Sequence, residues 1–317
     1  MADAPATREH AAAAATERHA VSWPPAGTRP LPVDVVSVQS QVVYGRVGNS
    51  AAAPTLAALG LVTAAVPTVF LSNVPQYGTP HGGIIPLDWF RGYLDDLVAR
   101  DALGGLRAVL TGYLGSLEQA QILAGWIRAR RATRPGLRVV VDPVIGDHEY
   151  GVYVDPRLVD AYRDALLATA DGLTPNDFEL GHLAQLPVDD IARTVAAARS
   201  LLRGATEWIA VTSAAPAAWP TGCMQLVLVT RTQAWLLTHP RIGVEPKGTG
   251  DLFTASLTAY WLAGDALPDA AAEACQRVLE ALHATAQARC AELLLPSMSP
   301  GRRGHPDVVV EALPFAT

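Results

Sequence analysis

Three features are scarce or missing in this 317-residue chain, and each excludes a class of protein. Cysteine occurs three times, at Cys223, Cys275 and Cys290, and an odd count without metal-ligand spacing or a secretory signal fits a reducing cytoplasm. No apolar run reaches the roughly 18–20 residues that a membrane-spanning helix needs. Acidic residues outnumber basic ones, giving a net charge of -6. We therefore expect a cytoplasmic protein with no membrane or nucleic-acid partner.

Two common nucleotide-binding motifs are also missing. No Gly-x-Gly-x-x-Gly follows the first predicted strand, so a dinucleotide-dependent oxidoreductase is not indicated. A P-loop is absent as well, because Lys247 precedes the glycines of its loop. In contrast, 50% of the residues are hydrophobic and 17% are charged, which is enough for a substantial buried core.

Strand and helix patterns alternate along most of the chain. This alternation predicts an α/β fold with a mostly parallel sheet and helices on both faces, closed by an antiparallel edge hairpin. Pro67 indicates an edge position for the second strand. The predicted strands cover 33–38, 62–70, 106–110, 137–141, 208–211, 226–230 and 234–237. The predicted helices cover 50–58, 86–97, 116–132, 155–170, 188–202, 251–264 and 269–291.

The ends of the chain are predicted to lie outside this domain. Residues 1–31 are rich in alanine and have no periodic apolar face, so we expect a mobile N-terminal tail. The main domain then covers residues 32–296. Residues 297–317 form a C-terminal tail, in which residues 308–310 predict a short edge strand.

The most informative stretch runs from Pro246 to Asp251, directly before an apolar helix. Gly248, Thr249 and Gly250 allow the backbone to bend tightly at a helix start, where unpaired amides and the helix dipole favour an anion. Asp251 follows, so the stretch predicts a loop that holds a phosphoryl group and a carboxylate that accepts the proton of an incoming hydroxyl. The alternative is that Asp251 is only an N-cap.

Other polar residues follow the predicted strands, where ligands bind in open α/β sheets. Ser40, Tyr44 and Asn49 lie in the predicted loop after the first strand. Asp142 ends a later strand and precedes a long loop at 144–153 that is a candidate lid.

A further pair of polar residues starts another helix. Asn176 and Glu179 share a face of its first turn and predict either a magnesium site or a capping arrangement.

Together these segments resemble pyridoxal kinases of the ribokinase superfamily, and most closely the bacterial pyridoxine/pyridoxal/pyridoxamine kinases. The resemblance covers roughly residues 33–296. It implies a ribokinase-like three-layer sandwich and transfer of the ATP γ-phosphoryl group to the 5′-hydroxymethyl group of a vitamin B6 form. The segments that carry it are Val38 to Gly45, Gly48-Asn49-Ser50, Thr111-Gly112-Tyr113, Asp142 to Asp147, Thr174-Pro175-Asn176 with Glu179, Val211-Thr212-Ser213 and Lys247 to Asp251.

The resemblance also implies roles for individual residues. Asp251 is the implied base and contacts the substrate, and residues 248–250 are the implied anion hole. Ser40, Gln76 and Tyr113 line the implied substrate site, whereas Glu179 and Tyr153 are the implied magnesium residues. The implied nucleotide-site residues are Asp142, Thr174, Thr212, His239, Pro240, Arg241, Ile242 and Gly250.

The same resemblance implies ATP as co-substrate, Mg²⁺, a homodimer and, as a further candidate, a monovalent cation (K⁺ or Na⁺). Two positions depart from the family pattern. Gln76 stands where close relatives can carry histidine, which leaves the preferred B6 form open. Pro240 interrupts the nucleotide-lining segment. Two alternative functions remain: a hydroxymethylpyrimidine or sugar kinase of the same superfamily, and a non-catalytic B6 or nucleotide sensor on a kinase fold.

Overall fold

A computed structural model describes residues 27–296 and 304–314. Within them, ten strands form one sheet in the order β12-β11-β10-β9-β8-β5-β4-β1-β2-β3. The six central strands, from β9 to β2, are parallel, and antiparallel strands flank them on both sides. The strands are β1 (Val35–Val42), β2 (Thr63–Leu71), β3 (Gly82–Ile84), β4 (Ala108–Thr111), β5 (Arg138–Val141), β8 (Gly172–Leu173), β9 (Trp208–Val211), β10 (Cys223–Thr230), β11 (Ala234–Pro240) and β12 (Val309–Ala312).

Helices cover both faces of this sheet, which confirms the predicted three-layer α/β fold. On one face, apolar residues of α2 to α6 share a core with Val36 and Val38. On the other, those of α1, α7 and α8 pack around Val35. The helices are α1 (Asn49–Ala58), α2 (Leu87–Ala99), α3 (Leu117–Thr133), α4 (Pro156–Ala161), α5 (Asp177–Ala184), α6 (Ile191–Leu201), α7 (Thr249–Ala263) and α8 (Leu267–Ala288). None of them is long and apolar enough to cross a membrane.

The first strand is longer than the sequence predicted. The polar residues 39–41 were expected to form a loop, but β1 continues to Val42 because β2 supplies a hydrogen-bonding partner as far as Leu71. A register shift between Gln39 and Gln41 accommodates this extension. Consequently, Ser40 lies on a strand rather than in a loop.

The edges of the sheet also differ in detail from the prediction. β12 pairs with β11, so the predicted hairpin of β10 and β11 is one strand inside the edge. β2 is likewise the second strand from its edge, and its outer side pairs with β3 only from Val69 to Leu71. Within the described part of the chain, Pro67 therefore occupies a stretch of β2 with no outer partner strand. Most of the predicted N-terminal tail, residues 1–26, lies outside the described residues, and the domain boundaries stay predictions.

One predicted connection has more structure than expected, and one predicted helix is less regular than expected. Within the predicted lid, β6 (Gly146–Asp147) and β7 (Gly151–Val152) form a small antiparallel hairpin. The helix expected at 155–170 ends as a regular α-helix at Ala161, and a π-helical turn and a 3₁₀ turn complete the segment. In the π-helical turn, the buried Tyr162 hydroxyl donates to the carbonyl of Gly112, which ties this segment to the end of β4.

Candidate active site

Helix α7 begins directly after Gly248, whose φ of 102° lies in the left-handed region. A Cβ atom there would lie 1.7 Å from the carbonyl oxygen of Arg46, so the site requires glycine. The first helical bond runs from the amide of Leu252 to the Gly248 oxygen, at 3.0 Å. The amides of Thr249 and Gly250 therefore remain available to an anion at the positive end of the helix dipole.

Asp251 lies in the first turn of α7 but does not cap it, because Gly248 holds the N-cap position. Its carboxylate accepts hydrogen bonds from the amide of Gly48 and from its own amide. Burial raises the pKa of Asp251 to about 6, and the two amide bonds limit that rise. A carboxylate with this pKa is mainly ionised at neutral pH and is still able to accept a proton.

Ser40 lies against Gly48, the residue whose amide bonds Asp251. A Cβ atom on Gly48 would lie 2.2 Å from the Ser40 carbonyl oxygen and 2.5 Å from its Oγ. The side chain of Asn49 donates to one carbonyl in β1 and one in β2, each at 3.2 Å, and so ties this loop to the sheet. The loop after β1 therefore connects Ser40 with Asp251.

Asp142, at the carboxyl end of β5, is buried close to the start of α7. The Thr254 hydroxyl donates to its Oδ2 at 3.4 Å and lies 2.8 Å from the Thr174 hydroxyl. Burial first, and then the charges of Glu179 and Asp251, raise the pKa of Asp142 well above its usual range. Ionising all three carboxylates at once is therefore unfavourable unless a cation is close.

Glu179 forms the capping arrangement that its spacing from Asn176 predicted. Its Oε2 accepts the Asn176 amide at 2.9 Å, while the Asn176 side chain accepts the Glu179 amide at 2.8 Å. Its Oε1 accepts the amides of Ile145 and Gly146, at 2.9 and 3.5 Å. Burial raises the pKa of Glu179, and these three amide bonds oppose the rise. The carboxylate is thus fixed in position beside the hairpin.

Tyr153 directly follows the β6–β7 hairpin, and its amide donates to the Ile145 carbonyl at 3.1 Å. Burial, and then the charges of Glu179 and Asp142, raise the pKa of its hydroxyl. In the described part of the chain, no three His, Cys, Asp or Glu side chains are arranged to hold a metal by themselves. Mg²⁺ prefers few protein ligands together with water and phosphate, so Asp142 and Glu179 fit it as partners of a hydrated ion.

Three of the predicted nucleotide-site residues lie at the carboxyl ends of neighbouring parallel strands. Asp142, Thr174 and Thr212 directly follow β5, β8 and β9, and these three strands end on the same side of the sheet. The Thr212 amide donates to the Pro175 carbonyl at 2.9 Å. β11 runs in the same direction as β9 and continues past the end of β9 as far as Pro240.

The segment from His239 to Ile242 therefore starts at the same end of the strands as Asp142, Thr174 and Thr212. Burial lowers the pKa of His239, whose Nδ1 lies 3.0 Å from the Pro240 oxygen. Arg241 is exposed and forms an ion pair with Glu245 at 2.8 Å. No hydrogen bond or ion pair in residues 27–296 joins this segment to Asp142 or Asp251.

The remaining predicted substrate residues are less closely connected. Tyr113 follows β4 and is half-buried, and its carbonyl accepts the Thr68 hydroxyl at 2.7 Å. Gln76 is exposed on the 3₁₀ turn Pro75–Tyr77. Neither side chain bonds to the Asp251 cluster within the described residues.

Sequence reasoning missed several contacts around the site. Thr254 was not predicted, although its position one turn after Asp251 on a helix was a usable signal. The chain after α8 was also missed: the Tyr77 hydroxyl bonds Glu292, and a hydrogen bond to the same carboxylate raises the pKa of Tyr44. No local pattern indicates that contact, because Glu292 is far from both tyrosines in sequence.

Known proteins are similar to this chain in both sequence and fold. A sequence profile described as phosphomethylpyrimidine kinase matches residues 55–292. A pyridoxine/pyridoxal/pyridoxamine kinase from Bordetella pertussis is 56% identical over 271 residues, which are 86% of this chain and 96% of that protein.

Two solved structures extend this similarity. A pyridoxal kinase from Leishmania donovani, in complex with ADP and pyridoxamine, has a TM-score of 0.79 and 30% identity over 89% of this chain and 99% of its own. A putative phosphomethylpyrimidine kinase from Bacteroides thetaiotaomicron, in a form with pyridoxal, has a TM-score of 0.72 and 29% identity over 80% and 88%. This chain therefore belongs to the phosphomethylpyrimidine kinase family and, within it, to the pyridoxal kinases.

Proposed function

We propose that the protein transfers the γ-phosphoryl group of ATP to the 5′-hydroxymethyl group of pyridoxal, pyridoxine or pyridoxamine, and so serves vitamin B6 salvage. The observation that carries this proposal is Asp251, a carboxylate with a raised pKa beside two amides at a helix start, those of Thr249 and Gly250, for which the described residues offer no hydrogen-bond partner. Relatives named for this activity, and solved neighbours with ADP and B6 forms, support it.

Asp251 is the proposed general base. Its carboxylate accepts the proton of the hydroxymethyl group as the oxygen attacks the γ-phosphorus and the bond from that phosphorus to the bridging oxygen of ADP breaks. The Gly48 amide holds the carboxylate in one orientation, so little reorganisation is needed at the moment of transfer. The amides of Thr249 and Gly250 and the dipole of α7 stabilise the negative charge on the moving phosphoryl group.

We assign the two substrates to opposite sides of the proposed site. Ser40, Gln76 and Tyr113 belong to the proposed acceptor side. Asp142, Thr174, Thr212 and the segment from His239 to Ile242 belong to the proposed nucleotide side. The closeness of Asp142 to Asp251 supports this division, because each group would lie on one side of the transferring phosphate.

Mg²⁺ belongs to the same proposal. When bound, it neutralises phosphate charge and orients the oxygens of the triphosphate. Asp142 and the fixed carboxylate of Glu179 would hold it through water, with Tyr153 beside them. A monovalent cation, a homodimer and a cytoplasmic location remain predictions; three free cysteines are compatible with the last of these.

An ATP-dependent assay with pyridoxal, pyridoxine and pyridoxamine side by side tests the function. We expect ADP release and a 5′-phosphate product with at least one of them. Hydroxymethylpyrimidine is the necessary fourth acceptor, because the matching profile and one solved neighbour carry the phosphomethylpyrimidine kinase description. Phosphorylation of that compound alone would favour the alternative kinase, and ligand binding without ADP release would indicate a sensor.

A further inference from the structure

Lys247 is the single lysine of the chain, and it directly precedes the anion-binding turn at Gly248. Four residues further on, Asp251 belongs to an acidic cluster with Asp142 and Glu179, in which the charges of Glu179 and Asp251 raise the pKa of Asp142. A nucleotide triphosphate adds further negative charge. Phosphoryl transfer depends mainly on positioning and on neutralising such charge, so a cation at this position has an evident use.

The Lys247 ammonium group is already held by an anion on the β6–β7 hairpin. Its Nζ lies 3.8 Å from Glu149 Oε2 and 5.0 Å from the centre of the Tyr150 ring. The amides of both hairpin residues bond to Asp147 Oδ1, at 2.9 and 2.7 Å, which fixes the turn between the strands. Lys247 therefore bridges the turn before α7 and the tip of the hairpin.

The Glu149 carboxylate in this ion pair can readily be replaced by another anion. Its separation is near the limit for an ion pair, and the Glu149 side chain is 65% exposed. Exposed ion pairs of this kind contribute little to stability. A phosphate oxygen offers a shorter, charge-assisted hydrogen bond, which is roughly twice as strong as a neutral one.

The hairpin does not depend on Lys247 for its attachment. At its other side, His148 Nε2 lies 2.9 Å from Asp177 Oδ2, and the His148 ring packs edge-on against Phe178 at 5.4 Å between centres. Lys247 can consequently leave Glu149 by side-chain rotation while the hairpin keeps its contact with α5.

We propose that Lys247 is a phosphoryl-binding residue, and that Glu149 holds its ammonium group until a nucleotide phosphate replaces the carboxylate. This inference rests on the proposed kinase function and adds one cation to its phosphate site. It predicts opposite effects for the two partners: the loss of Lys247 weakens the use of ATP, whereas the loss of the Glu149 charge releases Lys247 and strengthens it.

The first test compares kinetics of Lys247→Met, Glu149→Gln and Arg193→Met with wild type. We expect Lys247→Met to lower kcat/KM for ATP roughly 10- to 100-fold, with an unchanged KM for pyridoxal. Glu149→Gln should lower the KM for ATP by roughly two- to fivefold. Arg193→Met is the control, because it breaks an exposed ion pair of α6 remote from the site. Equal losses in the first two variants would mean that the pair only fastens the hairpin, and the inference would be wrong.

The second test uses the chemistry of a single lysine. Reductive dimethylation modifies Lys247 and the amino terminus alone, so the terminus serves as an internal reference for labelling measured by mass spectrometry. We expect ADP with Mg²⁺ to slow labelling of Lys247 but not of the terminus. Equal labelling with and without nucleotide would overturn the inference. A wild-type protein that phosphorylates no B6 form would instead refute the proposed function.

Discussion

The amide of Gly48 donates a hydrogen bond to the carboxylate of Asp251, and this bond joins the loop after the first strand to the first turn of α7. The same loop packs on Ser40, and the neighbouring carbonyl of Arg46 packs on Gly248. Two glycine turns, one from each half of the chain, therefore lie against each other, and the second of them carries both the proposed anion hole and the proposed base. A side chain at Gly248 would displace the Arg46 carbonyl, and a side chain at Gly48 would displace Ser40.

The pKa of Asp251 predicts the acid side of the pH profile. Because the base must be ionised and its pKa is raised to about 6, we expect kcat to fall below about pH 6, by about tenfold per pH unit. Asp251→Asn should lower kcat by roughly 10²–10⁴ and remove this limb, while nucleotide binding measured by calorimetry stays nearly intact. Wild-type turnover in this variant would show that Asp251 is not the base.

The same pKa predicts that Asp251 destabilises the fold at neutral pH. An unfolded aspartate has a pKa of about 3.9, so between about pH 4 and pH 6 the folded state binds more protons than the unfolded state. The free energy of unfolding therefore falls as pH rises through this range. We expect Asp251→Asn to exceed wild type by roughly 1–3 kcal/mol at about pH 8 in urea unfolding, with a smaller difference at about pH 5. A less stable variant at the higher pH would contradict this prediction.

Gly248→Ala and Gly250→Ala form a matched pair that tests the shape of the turn. At Gly248, the added Cβ would meet the Arg46 carbonyl oxygen at 1.7 Å on a backbone with φ of +102°. At Gly250, the closest atom outside its helical surroundings is Asp142 Oδ2, at 4.0 Å. We expect Gly248→Ala to lower Tm and kcat, whereas Gly250→Ala leaves Tm unchanged or higher, because alanine is favoured over glycine in a helix by about 1 kcal/mol. Similar Tm values for both variants would show that the turn tolerates a side chain.

Much of this site could be predicted from local sequence, since several of its parts are determined within a few residues. The start of α7 and the cap of α5 follow from glycines and from the spacing of Asn176 and Glu179. The strand at Ser40 could not be predicted in the same way. Its polar neighbours are typical of a loop, and only the pairing of β1 with β2 makes it a strand.

The contact between Gly48 and Asp251 could not be predicted from the sequence either. It depends on where the sheet places two distant turns, so no pattern within either turn indicates it. The roles of Gln76 and Tyr113 are similar, because they depend on a substrate's position rather than on the fold. These roles stay predictions.

Glu179→Gln separates a metal role from a structural one. The neutral amide keeps one acceptor but loses the charge that a hydrated Mg²⁺ would meet, so we expect the Mg²⁺ concentration for half-maximal activity to rise roughly 10- to 100-fold. Tm should also fall, because three backbone amides now bond Glu179.

Asn176→Ala is the control for that fall in stability. It removes the acceptor of the Glu179 amide and the donor to the Gly146 carbonyl, at 2.8 and 2.9 Å, but keeps the carboxylate. We expect it to lower Tm without changing the Mg²⁺ dependence. If both variants lower Tm and neither changes the Mg²⁺ requirement, Glu179 only caps α5, and the metal must be held by Asp142 and the phosphates.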